Sequence, residues 1–345
     1  MRPGKTKILV IIVARIGDTL LVTPALKALK EKNPDSHLTV LAHPKRLELL
    51  RFLPFVDQLS GISKHSACWR GRIGDKAFDI AIVYGTEQAL ISYALRVAHN
   101  VYVFSQPELP DAPNLVATQR PVTALHAVYE RLLLAEAAGA RTSDFRLNYV
   151  VSANEQSEAK SWLVKRVPVG AYPLVGLQTL SFPTKAHRNW PLQSFAELID
   201  KVLEHYPNAH FLALGDDAAK RHATSLAERF PNTLTIAAGT TSIRQSAALI
   251  NFLDLYVGVD TGPTHLAGAL GVPMVVMYHC AFPGRYLAPI GHPACLMIEH
   301  PLTSLTLEAT PAMSDISVEQ VWVAVHSLLT SIEKNRLTKN AHATN

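Results

Sequence analysis

The residues best placed for chemistry lie in segment 253–277, where a strand-like run is followed by polar and small residues. Leu255–Val259 is a short apolar run of the kind that forms a buried parallel strand. Asp260 and Thr261 favour the start of a helix, and Pro263 in its first turn costs little. A helix N-terminus at the carboxyl end of a strand attracts anions through free N–H groups and the helix dipole. The segment therefore predicts an anion site, but an ordinary strand–helix turn has the same local sequence.

Asp18 is a second candidate, because it follows the apolar run 8–14 and comes directly after Gly17. Gly17 lets the chain turn sharply out of the sheet, so we expect Asp18 at the carboxyl end of the first strand, near a helix start. A carboxylate there can act as a general base toward a hydroxyl. It can equally be a first-turn helix residue without a catalytic role, and the local sequence leaves both open.

Lys185, His187 and Arg188 lie in a loop after the strand predicted at Leu174–Gln178. Three cationic or titratable side chains at the end of a strand can clamp a phosphate, and an arginine does so through two parallel hydrogen bonds. The alternative is a solvated loop in which Trp190 packs at the start of the next helix. Both interpretations remain open at this point.

Asp216 and Asp217 follow the strand predicted at His210–Leu214. An acidic residue at this place commonly binds a ribose hydroxyl, and the alternative is that Asp216 only begins the next helix. No Gly-x-Gly-x-x-Gly follows a predicted strand, and the P-loop and Gly-x-Ser-x-Gly motifs are absent. A dinucleotide site and a hydrolase nucleophile therefore lack their signatures.

His279, Cys280, His292 and Cys295 raise the question of zinc. Their spacing matches no common zinc pattern, so we predict no metal site. The chain contains three cysteines, which is typical of a reducing compartment without a disulfide framework. The apolar run 8–14 is too short to cross a bilayer. These features predict a cytoplasmic protein.

The elements that must position these residues alternate between strand-like and helical runs, which is typical of a doubly wound α/β sheet. The chain has 345 residues, 48% of them hydrophobic and 18% charged, which suits two globular domains. We predict an N-terminal domain at 1–167, a C-terminal domain at 168–331 and a polar tail at 332–345. A cleft between the two halves is expected to bind ligands outside the carboxyl ends of the strands.

Several segments outside the candidate site carry local predictions, and the formal net charge of +5 favours anionic partners. The basic segment 64–76 is predicted as a solvated loop, with contact to an acidic acceptor or membrane surface as the alternative. Pro24 either begins a helix or bends one that starts near Gly17. The other predictions are a helix at 18–30, a proline-rich loop at 106–121, a helix at 122–138 and a last helix at 318–331.

Three motifs together resemble glycosyltransferase family 9, the lipopolysaccharide heptosyltransferases. They are the turn at 15–18 followed by Thr23-Pro24-Ala25-Leu26, the loop Arg188-Asn189-Trp190-Pro191, and the segment Val257-Gly258-Val259-Asp260-Thr261-Gly262-Pro263-Thr264-His265-Leu266-Ala267. They keep their order and spacing across about the whole chain. The resemblance implies a GT-B fold, in which two Rossmann-like doubly wound domains face a central cleft. The N-terminal domain would bind the acceptor and the C-terminal domain the nucleotide sugar.

The resemblance also implies an activity, namely inverting, metal-independent transfer of heptose from ADP-heptose to the lipopolysaccharide core oligosaccharide. No cofactor is expected beyond the ADP-sugar donor. The expected partners are this donor and a lipid A-core acceptor, and not a nucleic acid. Since the acceptor is anchored in lipid and the protein is basic, peripheral contact with the cytoplasmic face of the inner membrane is a further expectation.

Carried over residue by residue, the resemblance makes Asp18 the catalytic base. Arg188 falls where the family usually has a lysine that holds the donor phosphate, and Lys185 competes for this role. The resemblance implies further donor contacts from residues of the C-terminal half. These are Thr184 facing the phosphates, Thr241 at the adenine, and Asp260, Thr261, Gly262 and His265 at the pyrophosphate and nucleoside.

The chain departs from the family pattern at two places. Many members carry a glutamate for the donor ribose where this chain has Asp217-Ala218-Ala219, so the acidic role would pass to Asp216 or Asp217. The usual Gly-Pro-Thr after the last inner strand is replaced by Tyr278-His279-Cys280-Ala281. Three alternatives follow: another nucleotide sugar as donor, a nucleotide-sugar epimerase of the same fold, or a nucleotide-binding module with a degraded site.

Overall fold

Buried aliphatic runs form parallel strands in both halves of the chain, as the sequence predicts. The computed structural model describes residues 5–71, 75–302 and 311–343. These residues divide into two units, Met1–Val150 and Val151–Asn345. Each unit contains a six-stranded sheet within the described residues, and the α/β class with two doubly wound sheets is confirmed.

The N-terminal unit has the sheet order β3-β2-β1-β4-β5-β6, with all neighbours parallel. The strand order reverses between β1 and β4, and ligands of doubly wound folds bind at this switch point. The strands are β1 (Lys7–Ile12), β2 (His37–Ala42), β3 (Gln58–Gly61), β4 (Phe78–Tyr84), β5 (Ala98–Phe104) and β6 (Leu115–Thr118). The helices are α1 (Ile16–Leu21), α2 (Thr23–Lys32), α3 (Lys64–Trp69), α4 (Gln88–Val97) and α5 (Ala127–Ala137), with a 3₁₀ segment at Pro44–Leu49.

The C-terminal unit repeats this architecture with the order β12-β11-β10-β7-β8-β9 and its switch point between β10 and β7. The strands are β7 (Leu174–Gln178), β8 (His210–Leu214), β9 (Leu234–Ile236), β10 (Leu255–Val259), β11 (Met274–Tyr278) and β12 (Cys295–Glu299). The helices are α6 (Ala153–Val164), α7 (Leu192–His205), α8 (Lys220–Arg229), α9 (Ile243–Ile250), α10 (Gly262–Leu270) and α11 (Val318–Ala343). Short 3₁₀ segments lie at Pro183–Arg188, Asp217–Ala219, Gly284–Tyr286 and Met313–Asp315.

The inner strands are apolar on both faces because helices cover both sides of each sheet. All five residues of β7, β8, β10 and β11 are buried. The division between the units falls before α6, which packs on α9 and so belongs to the second unit. The sequence-based boundary at 167/168 lies after this helix.

The helical segment predicted at 18–30 forms two helices, α1 and α2, with Val22 between them. Of the two alternatives for Pro24, a helix that begins at this point of the chain is confirmed, and a single bent helix is wrong. The Thr23 hydroxyl donates to the Leu20 carbonyl at 2.6 Å and accepts the Asn148 N–H at 2.9 Å. Pro24 lies in the first turn of α2, where its missing N–H leaves no bond unmade.

The loop at 106–121 and the helix at 122–138 are also wrong in part. β6 forms inside the predicted loop by pairing with β5, with Leu115 opposite Val101. α5 begins only after His126, whose Nδ1 accepts the Val128 N–H at 3.1 Å and so caps the helix. Neither the edge strand nor this cap was visible as a local pattern.

Two other segments contain more helix than predicted. Ser63 and Ser66 form a reciprocal capping box that begins α3 inside the segment predicted as a loop at 64–76; residues 72–74 of that segment lie outside the described residues. α11 continues through most of the predicted tail, with Arg336 placed 4.3 Å from the Tyr172 ring centre. Residues 344–345 lie outside the described residues.

Among the residues that the structure describes, no helix is both long and apolar enough to span a membrane.

Candidate active site

The loop after β7 is held in a fixed shape by its own polar contacts. The Asn189 side-chain oxygen accepts from the Ser181 N–H at 2.7 Å and from its hydroxyl at 2.8 Å. The Ser181 hydroxyl also lies 2.6 Å from the Lys185 carbonyl oxygen, to which it can donate instead. Trp190 closes the loop: its ring is buried, and its N–H donates to the Ile316 carbonyl at 2.8 Å. Trp190 also packs on Phe195 of the following helix α7, with ring centres 4.9 Å apart, as one of the two interpretations of this loop predicts.

Arg188 is oriented by two partners that come from two other strand ends. Its Nη1 donates to Asp260 Oδ2 at 2.8 Å, and both side chains are largely buried. Its guanidinium carbon lies 3.5 Å from the ring centre of Phe282, which follows β11. Phe282 has no local signal for this contact in the sequence, because it is a single aromatic residue in a loop.

Lys185 shares the same aromatic ring, with its Nζ 4.7 Å from the centre of Phe282. Burial lowers the pKa of His187, and nearby His279, Arg188 and Lys185 lower it further through positive charge. The cationic loop is therefore an organised, electropositive part of the C-terminal unit rather than a freely solvated turn. Thr184 lies exposed in the same 3₁₀ segment.

The start of α10 follows β10 at the switch point, as predicted. Thr261 is the N-cap residue and Pro263 lies in the first turn, while Gly271 ends the helix in the left-handed conformation at φ 71°. The Thr264 hydroxyl lies 2.7 Å from the Val259 carbonyl, 2.9 Å from the Tyr256 hydroxyl and 3.1 Å from the Thr261 hydroxyl. These buried hydroxyl contacts fix the first turn of α10 on the end of β10.

His265 lies one turn into α10 beside Asp260. Its Nε2 is 3.6 Å from Asp260 Oδ1, and the side chain is buried. The buried Nδ1 of His265 has no hydrogen-bond partner among the described residues. Buried imidazole nitrogens are normally hydrogen-bonded, so His265 is a candidate for a ligand contact.

Asp216 and Asp217 differ in what they contact. Asp216 caps the 3₁₀ segment, with its Oδ1 accepting the Ala218 N–H at 3.1 Å. Asp217 lies against the turn at Gly239, where an added Cβ would be 2.6 Å from its Oδ1. Asp217 is thus the acidic side chain that lies toward the 239–241 turn.

Thr241 lines a small cavity between α6, α9 and the turn before α9. The cavity has a volume of about 390 Å³, including the part open to solvent. Its walls combine the Trp162 ring and alanine and leucine side chains with the carboxylates of Glu155 and Glu158. The Glu155 carboxylate already accepts two hydrogen bonds from Arg244, from Nε at 2.7 Å and from Nη2 at 2.5 Å.

Among the residues considered for zinc, His279 contacts the backbone through both ring nitrogens. His279 Nε2 lies 3.0 Å from the Pro311 carbonyl, and its Nδ1 accepts the Ala281 N–H at 3.1 Å. Burial raises the pKa of the Cys295 thiol to about 11. Within residues 5–71, 75–302 and 311–343, no group of three metal-binding side chains is present.

Asp18 lies in the first turn of α1, after the carboxyl end of β1, which is the switch point of the N-terminal unit. Arg131 of α5 donates from Nη2 to Asp18 Oδ1 at 2.9 Å, and Asp18 remains 46% exposed. The structure assigns no hydrogen bond to Oδ2 within the described residues. Arg131 was missed by the sequence analysis because the contact joins residues 113 positions apart.

Two doubly wound units, the second with a cationic site at its switch point, define the GT-B class of proteins. The family model described as "Glycosyltransferase family 9 (heptosyltransferase)" matches residues 73–309. The chain belongs to this family and is a glycosyltransferase. The matched range does not include Asp18, so the role of that residue stays a prediction.

A related protein and two similar solved structures agree with this family membership. The chain is 24% identical over 296 residues to lipopolysaccharide heptosyltransferase 3 of Escherichia coli K12, covering 76% of this chain and 79% of the relative. A family 9 glycosyltransferase structure from Veillonella parvula has a TM-score of 0.79 at 20% identity, covering 96% of this chain and 99% of that one. The structure of E. coli ADP-heptose lipopolysaccharide heptosyltransferase II has a TM-score of 0.77 at 19% identity, covering 95% and 100%.

Proposed function

We propose that the protein transfers heptose from ADP-heptose to the lipopolysaccharide core oligosaccharide, with inversion and without a metal ion. The observation that carries this proposal is the Arg188–Asp260 pair at the switch point of the C-terminal unit, with Phe282 and Lys185 beside it. A fixed cationic group at this place suits the diphosphate of a nucleotide sugar. The relatives named as heptosyltransferases, one of them as an ADP-heptose enzyme, support the choice of sugar and nucleotide.

The two units supply different parts of the reaction. Asp18 Oδ2 would take the proton of an acceptor hydroxyl while Arg131 holds Oδ1. The hydroxyl oxygen then bonds to the anomeric carbon as the bond from that carbon to the phosphate oxygen breaks, so the configuration inverts. ADP leaves with the electron pair of the broken bond.

The C-terminal unit would stabilise the charge that develops on the leaving diphosphate. Arg188 and Lys185 bring positive charge, and the first turn of α10 adds its dipole. His265 and Thr261 would contact the same part of the donor. Positive charge of this kind can replace a metal ion in neutralising the leaving group. Peripheral contact with the inner membrane and a cytoplasmic location belong to the same proposal.

The nucleoside part of the donor is proposed to lie toward the 239–241 turn. Asp217 faces this turn and is the better-supported partner for the ribose, since Asp216 already caps a helical segment. Thr241 lines the neighbouring cavity, whose Trp162 ring offers an apolar wall.

The test is product formation from ADP-heptose and a heptose-deficient lipid A-core acceptor, measured by mass spectrometry with EDTA present. We expect transfer, and about 10²- to 10⁴-fold slower turnover for Asp18→Asn, because a general base contributes about that much. ADP affinity should be nearly unchanged. Asp35→Asn, an exposed carboxylate of the same unit, is the matched control.

Three outcomes would contradict parts of the proposal. Full turnover of Asp18→Asn would remove its assignment as base. Loss of activity in EDTA that Mg²⁺ restores would contradict metal independence. A thermal-shift preference for UDP, GDP or CDP over ADP would contradict the donor; at 100 times Kd a bound nucleotide adds about 2.7 kcal/mol.

A further inference from the structure

Three separate strand ends meet at the Arg188 guanidinium. Arg188 comes from the loop after β7, Asp260 directly follows β10, and Phe282 ends the turn after β11, where its N–H donates to the His279 carbonyl at 2.8 Å. Asp260 fixes one edge of the guanidinium at 2.8 Å and the Phe282 ring covers its face at 3.5 Å. The position and the plane of the cation are therefore both determined.

The Phe282 ring can fix the plane of a guanidinium but not that of an ammonium. A guanidinium is planar and stacks on an aromatic face, whereas an ammonium is a compact point charge that cannot be fixed in a plane. Lys185 Nζ lies farther from the same ring, at 4.7 Å. The positive charges of Arg188 and Lys185 therefore lie beside the same ring, and the single carboxylate of Asp260 does not neutralise both.

This half-buried cluster carries excess positive charge, and its side chains are fixed before a ligand binds. It therefore suits an anion that carries more than one negative charge. His265, whose Nε2 lies 3.6 Å from Asp260 Oδ1, has a buried Nδ1 without a hydrogen-bond partner among the described residues, and this second observation also favours a polar ligand here. Fixing donors before the ligand arrives reduces the entropy that binding must overcome.

We propose that Phe282 is a positioning residue for the donor diphosphate, and that arginine is needed at position 188 because of this ring. The proposal rests on the proposed function, since it requires a nucleoside diphosphate at Arg188. Phe282 itself does not touch the reacting atoms; it acts through Arg188 and, more weakly, through Lys185.

The test is a double-mutant cycle on the full-length protein with ADP as the probe, using Kd from titration calorimetry. We expect Phe282→Leu to weaken ADP binding by about 2- to 30-fold, which corresponds to a cation–π contact. Arg188→Lys should weaken it by a similar factor. In the Arg188→Lys background, Phe282→Leu should cost clearly less than in the wild type, because an ammonium gains less from the ring face than a stacked guanidinium does.

Two controls separate this role from a merely structural one. Phe282→Tyr keeps the ring and should bind ADP nearly as wild type. Phe252→Leu changes another half-buried phenylalanine of the same unit and should leave ADP binding unchanged. If Phe282→Leu does not fold, Phe282→Met provides a ring-free side chain of similar volume.

The outcomes distinguish this inference from the proposed function. If the wild type binds ADP and Phe282→Leu weakens it equally in both backgrounds, or not at all, the positioning role is wrong while the proposed function stands. If the wild type binds no nucleoside diphosphate, both are overturned. A preference for another nucleoside diphosphate overturns only the adenine assignment, and the cycle is then run with that nucleotide.

Discussion

The ion pair between Glu155 and Arg244 joins α6 to α9, and its removal is expected to destabilise the C-terminal unit. Arg244 is buried and donates twice to the Glu155 carboxylate, which also accepts the Ser152 N–H at 2.8 Å. Glu155→Gln keeps hydrogen-bonding atoms for Ser152 but removes the carboxylate charge that faces the buried Arg244 guanidinium. Breaking a buried ion pair in this way is more costly than removing both partners.

The pKa shift of Glu155 and the usual cost of breaking a buried ion pair give the same magnitude for this loss of stability. The Arg244 hydrogen bonds lower the pKa of Glu155 from 4.5 to about 2. At about 1.4 kcal/mol for each tenfold change in acidity, the folded state favours the carboxylate by about 3 kcal/mol. Removal of one partner of a buried pair typically costs about 3–5 kcal/mol. We therefore expect Glu155→Gln to lower the free energy of unfolding by about 3 kcal/mol.

Urea unfolding followed by tryptophan fluorescence measures this loss. Three of the four tryptophans, Trp162, Trp190 and Trp322, lie in the C-terminal unit, so the signal reports mainly on it. The matched control is Glu158→Gln, an exposed carboxylate of the same helix, for which a change below about 0.5 kcal/mol is expected.

A double variant and the pH dependence of the unfolding free energy test this explanation further. Glu155→Gln combined with Arg244→Met should lose less than the sum of the two single changes, because the guanidinium and the carboxylate that faces it are removed together. Since the pKa of Glu155 is lowered on folding, the stabilisation is complete above about pH 4.5 and is lost as the pH falls toward 2. A urea midpoint for Glu155→Gln equal to that of the Glu158→Gln control would refute the reasoning.

Three further predictions concern other parts of the molecule. Gly258→Ala should cost about 1–3 kcal/mol in thermal unfolding, because the new Cβ would lie 2.7 Å from the Gln178 Cβ on the paired strand; an unchanged midpoint would contradict this. Arg131→Ala should reduce kcat about 10- to 100-fold by releasing Asp18, with ADP affinity unchanged, and Arg131→Lys should recover part of the loss; equal kcat in all three proteins would show that Arg131 does not position the base. Burial lowers the pKa of His210, so its contribution to stability is present above pH 6.5 and is lost as the pH falls below it, because the unfolded chain takes up the proton first. A His210→Asn variant should show a weaker decline in unfolding free energy between pH 7 and 5, and an identical decline would contradict this.

Much of the fold follows from local patterns that need no tertiary information. The runs that became β7, β8 and β10 are apolar apart from Gln178 at the end of β7 and His210 at the start of β8, and all three strands have the predicted bounds. β3 and α3 were missed because one is a short, partly polar edge strand and the other begins at a serine capping box.

Part of the functional site also follows from local sequence patterns, and part of it does not. The motif at Asp260–His265 and the cationic loop were recognisable because strand ends, helix caps and charges are adjacent in sequence. The sequence does not distinguish a phosphate clamp from a solvated loop at 185–188, and only the structure shows that Arg188 contacts Asp260 and Phe282.

The sequence by itself determined the fold class, the family and the residues that follow each inner strand, because these depend on the order and period of side chains. Only the tertiary structure decided which of those residues meet. Asp260 and Arg188 are 72 positions apart, and Asp18 and Arg131 are 113 apart. The first pair forms because parallel strands place their carboxyl ends along one edge of the sheet, and the second forms because α5, which carries Arg131, packs beside α1. Strand order and helix packing are set by the burial of apolar faces across the whole unit rather than by any local pattern.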